Sequence, residues 1–135
     1  MTVFSTYFRD GILAYIKGTA LPTPPANLYV ATFSVAPARA GTGGTENTTS
    51  IRTAGRVAIA SSGWDAIAAS GNSRQIQNTS AVSFGNAVNS VSVVYIGLFD
   101  AASGGNFIAG VASPFTSTAG APVTIPAGAL IIGLT

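Results

Sequence analysis

The sequence predicts an all-β fold, a sandwich or jelly roll, with one α-helix at its N-terminus. Three observations predict it. After residue 26 the apolar periodicity changes from about four to two. Short apolar runs then recur at regular spacing between Gly, Asn and Ser turns. At 135 residues the chain is the size of one domain and can bury roughly two-thirds of its unfolded surface on one core. Residues 1–19 are expected to form the helix and residues 20–135 the sandwich, one domain overall.

The helix is expected over residues 3–17. Phe4, Phe8, Ile12 and Ile16 recur every four residues, and Gly18 is placed to end it. Its aromatic face has two open uses, packing on its own domain or docking on a neighbouring subunit. The stretch ALPTPPAN, 20–27, is a proline-rich linker that cannot continue a helix. NLYVATFSV, 27–35, alternates as a strand, and APARAGTGGTENTTS, 36–50, is too rich in Gly and Thr for regular structure. Further strands are expected at 56–60, 74–78, 81–84, 91–99, 106–112, 123–125 and 129–134. SSGWDAIAASG, 61–71, reads either as a helical turn around Trp64 or as an apolar loop over one end of the sandwich.

Composition narrows the chemistry. The chain has six basic and four acidic residues, no histidine and no cysteine. That removes the commonest general base and metal ligand together with thiolate chemistry and disulfides. The acids Asp10, Glu46, Asp65 and Asp100 lie on four separate segments, without the pairing that two-carboxylate catalysis or a calcium loop requires. The expectation is a protein that is not an enzyme and takes no cofactor or metal. From Ala101 to Thr135 there is no charged side chain, a surface better suited to permanent assembly than to a free monomer. Arg39, Arg52 and Arg56 cluster around Glu46 without a basic run or interleaved aromatics, so nucleic acid is not an expected partner. No targeting segment and no membrane helix are expected, since the uncharged tail is broken by Pro114, Pro122 and Pro126.

IGLFDAASGGNFIAG, 96–110, poses the sharpest question: ligand cradle or turn. A phosphate loop leads into a helix N-terminus, commonly with a lysine. Here NFIAGVA follows, strand-like and without lysine. The stretch therefore reads as a structural turn, with Asp100 accepting hydrogen bonds from amides two or three residues on and Gly104 or Gly105 supplying positive φ. Tyr29, Phe33, Trp64, Tyr95 and Phe99 are the aromatic residues that a sugar site would draw on, although core burial is the default for strand aromatics.

Three segments, NLYVATFSVAPARAGTGGTE (27–46), VVYIGLFDAASGGNFIAGVA (93–112) and VTIPAGALIIGL (123–134), together with the N-terminal helix, resemble a family of small tailed-phage virion proteins. Members are often labelled tail-fibre proteins, and in some phages they serve as capsid decoration or cement proteins. Leu28–Phe33, Pro37, Gly44–Glu46 and Gly97–Asn106 match its pattern most closely. After the Glu loop TAGRVAIA keeps only Arg56, and Ser90 and Val91 stand near the place of the family's tryptophan. The resemblance implies a small jelly-roll-like sandwich on the virion, a homotrimer, partnered by the major capsid protein that it cements. A host-glycan-binding fibre module using Trp64 is the alternative. Candidate partner contacts are Phe4, Phe8, Arg39, Arg52, Arg56 and Trp64.

Overall fold

A computed structural model describes residues 1–51 and 55–135. The elements are β1 (Thr2–Phe4), α1 (Thr6–Ile16), β2 (Asn27–Val35), β3 (Thr45–Glu46), β4 (Val57–Ala60), a 3-10 turn at Ser61–Gly63, β5 (Ala68–Ser70), β6 (Ser73–Gln77), β7 (Val82–Asn86), β8 (Val91–Phe99), β9 (Phe107–Ser117), β10 (Pro122–Ile125) and β11 (Ile131–Leu134). The largest sheet runs β1-β9-β8-β2-β3, with β4 also paired to β2; β10-β7 and β11-β6-β5 form two smaller sheets. Every pairing is antiparallel. The fold is the all-β sandwich that the alternating runs predict.

The large sheet is apolar on both faces. On one, Val30 of β2 and Val93, Ile96 and Leu98 of β8 pack with Val82, Phe84, Val123 and Ile125 from the β7–β10 pair, closed by Leu130. On the other, Ala31, Phe33, Tyr95, Phe99 and Phe107 form a second, mainly aromatic cluster. Strand β8 changes face part-way along: Val91 and Val93 belong to the first core, Tyr95 to the second. The register explains it. Between the pairs Val93–Phe115 and Tyr95–Ala112, two steps on β8 oppose three on β9, a bulge that turns the side chains over. Pro114 lies within that irregular stretch, where a missing ladder donor costs least. Residues 106–112 therefore extend as strand to Ser117, beyond the expected end.

The N-terminus corrects the expected helix start. Thr2–Phe4 is a strand paired with Val111, Gly110 and Ala109, and the helix begins only at Thr6. Ser5 decides the boundary. Its extended backbone (φ −65°, ψ 163°) lets the hydroxyl accept from the Phe8 amide at 3.1 Å, an N-cap that satisfies one orphan donor. Its own amide donates to Ile108 O at 2.9 Å. The four-residue spacing survives as a Phe4–Phe8 stack with centroids 5.1 Å apart. Gly18, at φ +89°, closes the helix by donating to Tyr15 O at 2.9 Å. Because β1 and β2 both lie in the large sheet, α1 and the proline linker form a strap anchored at each end. The ambiguous stretch 61–71 resolves into the 3-10 turn, a bridge from Trp64 to Asn78, and β5.

Candidate functional site: the 100–106 loop and the groove beneath the strap

The loop joining β8 to β9 is closed by Asp100. Its Oδ1 accepts from the Asn106 amide at 2.6 Å and its Oδ2 from the Asn106 side-chain amide at 2.7 Å. The acceptor thus reaches six residues on rather than two or three, because the five-residue loop 101–105 brings Asn106 back opposite Asp100 as the first rung of the hairpin. Both Gly104 (φ +61°) and Gly105 (φ +71°) take left-handed conformations. A Cβ on Gly105 would also strike the Asp100 carboxylate.

Arg56 fills the inside of this loop. Its Nη1 donates to Ala101 O at 3.0 Å and to Gly104 O at 2.7 Å, while Nε and Nη2 donate to Glu46 at 3.2 Å each. The loop presents carbonyl oxygens inward and holds a cation, the reverse of the amide-lined cradle that an anion requires. The Arg56 side chain is 9% exposed and that of Glu46 23%. This guanidinium is used within the chain.

The second feature is a cavity of about 780 Å³ between the strap and the sheet. Tyr7, Phe8 and Pro24 line it from the strap; Trp64, Leu98 and Ile132 line it from the body. It exists because α1 buries no residue, while the linker passes over the sheet instead of lying on it. Among the described residues, Asp100 is the one charged residue in its lining.

The structure brings Phe4, Phe8 and Trp64 together in this groove, whose lining includes neither Arg39 nor Arg56. Arg39 is exposed on the 36–44 loop, where its carbonyl accepts from the Thr6 amide at 2.9 Å. Its positive charge bears on Tyr95, whose hydroxyl pKa is nevertheless raised above 10.0, the larger cause being burial. Arg52 lies outside the described residues. Among the described residues no group of three or more His, Cys, Asp or Glu side chains is placed to hold a metal, and no helix is long and apolar enough to cross a membrane.

Sequence reasoning missed Asn78. Only 1% exposed, it donates from Nδ2 to Ser80 O (2.8 Å) and Pro126 O (2.9 Å) and accepts the Leu130 amide on Oδ1 (2.8 Å). One side chain thereby fastens the β6–β7 turn to the β10–β11 connection. The available signal was an asparagine, a poor strand former, closing an otherwise strand-like run. Thr2 was missed as well: its hydroxyl donates to Ile131 O and accepts from the Gly133 amide, both at 3.2 Å. It stitches the two ends of the chain across two sheets.

Over residues 3–133 the chain matches the model of a phage virion family, which places it in the class of fibre-related virion proteins. That family is the podophage GP4 fiber I protein gp80 family, and the chain belongs to it. No curated protein matches the chain.

Proposed function

We propose that this chain is a non-catalytic structural subunit of a podophage fibre, acting by burying surface against other virion components. One observation carries the reading. Arg56, Glu46, Asp100 and Asp65 are spent on the fold, whereas the groove beneath the strap is lined mainly by apolar residues. Arg56 and Glu46 hold each other and the 100–106 loop; Asp100 holds Asn106; Asp65 accepts the Gln77 amide at 2.7 Å. The groove offers aromatic, proline and aliphatic surface, which favours protein or another apolar partner over water-soluble substrates. A glycan site pairs an aromatic platform with convergent polar groups. Around Trp64 the lining supplies the platform and few such groups, so we favour subunit contact there.

Capsid decoration, with the major capsid protein as partner and the chain as a homotrimer, is the second reading, supported by the motifs shared with decoration-type proteins. Copy number separates the two. Quantitative mass spectrometry of purified virions, with antibody labelling by electron microscopy, is expected to find a few to a few tens of copies at the tail. Hundreds of copies spread over the head would replace the fibre reading with decoration.

A further inference from the structure

Helix α1 carries a second apolar surface, on its outer side. Leu13 is 59% and Ile16 74% exposed, and with exposed Lys17 they share one face, at i, i+3 and i+4. At 3.6 residues per turn, that face lies about half a turn from Tyr7, Phe8 and Gly11, which line the groove. An 11-residue helix that buries nothing is too short to be stable on its own merits. Its outer apolar face therefore calls for a partner.

The same chain also carries a complementary surface. The groove is concave, apolar and open at Ile67, which is 67% exposed. Its single charged lining residue among the described residues is Asp100. Lys17, the single lysine of the chain, stands at the end of the convex face and makes no ion pair; the one salt bridge among the described residues is Arg56–Glu46. Apolar convex surface with one cation matches apolar concave surface with one anion.

We infer that the groove receives the outer face of α1 from a second copy of this chain, with Leu13 and Ile16 seated near Trp64 and Ile67 and Lys17 facing Asp100. Such a contact is heterologous, since helix and groove are different surfaces, so repetition closes a ring or extends a filament. It deepens the structural reading above by naming the surface through which copies meet.

The natural absence of cysteine makes the test clean. Two full-length variants, Ile16→Cys and Ile67→Cys, are purified separately, then mixed and mildly oxidised. The expected product is a mixed disulfide between the two variants, formed well above the level of either variant's self-linked dimer. By sedimentation, the wild-type chain is expected to self-associate, and Lys17→Glu, which sets a like charge against Asp100, to weaken association about tenfold or more. Circular dichroism is expected to show that substitution at these exposed positions leaves the fold intact. A wild-type chain that stays monomeric, Ile16→Cys linking mainly to itself, or association indifferent to Lys17→Glu would each overturn the inference. A monomer in solution still found in the fibre would sink this contact and leave the structural reading standing.

Discussion

Arg56 lies over Phe99, its guanidinium carbon 3.4 Å from the ring centroid. The residue thus joins four things: the aromatic cluster, Glu46 of β3, and two carbonyls of the 100–106 loop. A planar fork can stack and donate in several directions at once; an ammonium cannot. Arg56→Lys is therefore expected to destabilise the fold by about 1–2 kcal/mol, and Arg56→Met by about 2 kcal/mol, through loss of charge-assisted hydrogen bonds. The second figure is set below the roughly 3–5 kcal/mol of fully buried pairs, because water reaches Glu46 and offsets part of the loss. Urea denaturation of Arg56→Met, Glu46→Gln and the double variant measures the coupling. Additive effects would mean that the pair contributes nothing of its own.

Asp100 closes the same loop from outside. Asp100→Ala removes both bonds to Asn106 and is expected to cost about 1–2 kcal/mol, with faster amide exchange confined to residues 100–106. Asp100→Asn should retain part of the closure, since its carbonyl still accepts from one amide. Hydrogen exchange read by mass spectrometry distinguishes these outcomes. Uniform loss of protection across the sheet would show that the loop is no local unit.

Asn78 should be the most sensitive polar position. Asn78→Leu fills similar space but leaves the Leu130 amide and the Ser80 and Pro126 carbonyls without this partner, an expected loss of about 3 kcal/mol or more. Asn78→Asp is more diagnostic. The carboxylate keeps the acceptor for Leu130 and sets negative charge against two carbonyl oxygens; protonation restores one donor. Thermal melts should show this variant closest to wild type at acid pH and furthest from it at neutral pH. A gap that does not change with pH would contradict the assigned bonds.

Period-two alternation made the long strands legible: β2 and β8 have the bounds that their apolar patterns predict, 27–35 and 91–99. Alternation is a local signal, and the failures are places where distant residues decide. Val3 and Phe4 read as helix by spacing and become strand, with Thr2, because the edge of β9 at residues 109–111 is open to them. Strand β3 has only two residues, set by pairing to Phe33 and Val35 and by no pattern of its own. For the site, Phe4, Phe8 and Trp64 were legible as apolar residues seeking a surface. The direction of Arg56 was not, because nothing in its neighbourhood states that the 100–106 carbonyls will converge on it.

Gly97 and Gly110 face one another across β8 and β9, under the aromatic cluster. Neither has positive φ, so space rather than conformation requires glycine. A Cβ at Gly97 would stand 2.9 Å from the Phe33 ring and 3.2 Å from those of Phe99 and Phe107; at Gly110 it would run into the Tyr95 ring. Strand propensity alone predicts that Gly→Ala stabilises. Overpacking predicts the opposite sign, a loss of about 1–3 kcal/mol for each substitution. Denaturant midpoints of Gly97→Ala and Gly110→Ala decide between them, and a gain at either position would mean that the rings give way.

Tyr95 sets the alkaline limit of this packing. Burial raises its hydroxyl pKa above 10.0, and the positive charge of Arg39 opposes that shift in part. The raised value means that the fold favours the neutral phenol more than the unfolded chain does. The stability this contributes is fully present below about pH 10, the ordinary tyrosine value, and is lost as pH rises through the higher folded value. Stability of the wild-type chain should therefore fall above about pH 10 more steeply than that of Tyr95→Phe, which has no such proton to lose. Arg39→Gln removes the opposing charge, so the folded pKa rises further and the total loss at high pH grows. Urea midpoints measured between neutral pH and about pH 11.5 read all three curves. Three other tyrosines ionise in every variant, so the difference from Tyr95→Phe isolates this one. Superimposable alkaline limbs for wild type and Tyr95→Phe would show that the ring is not held out of water.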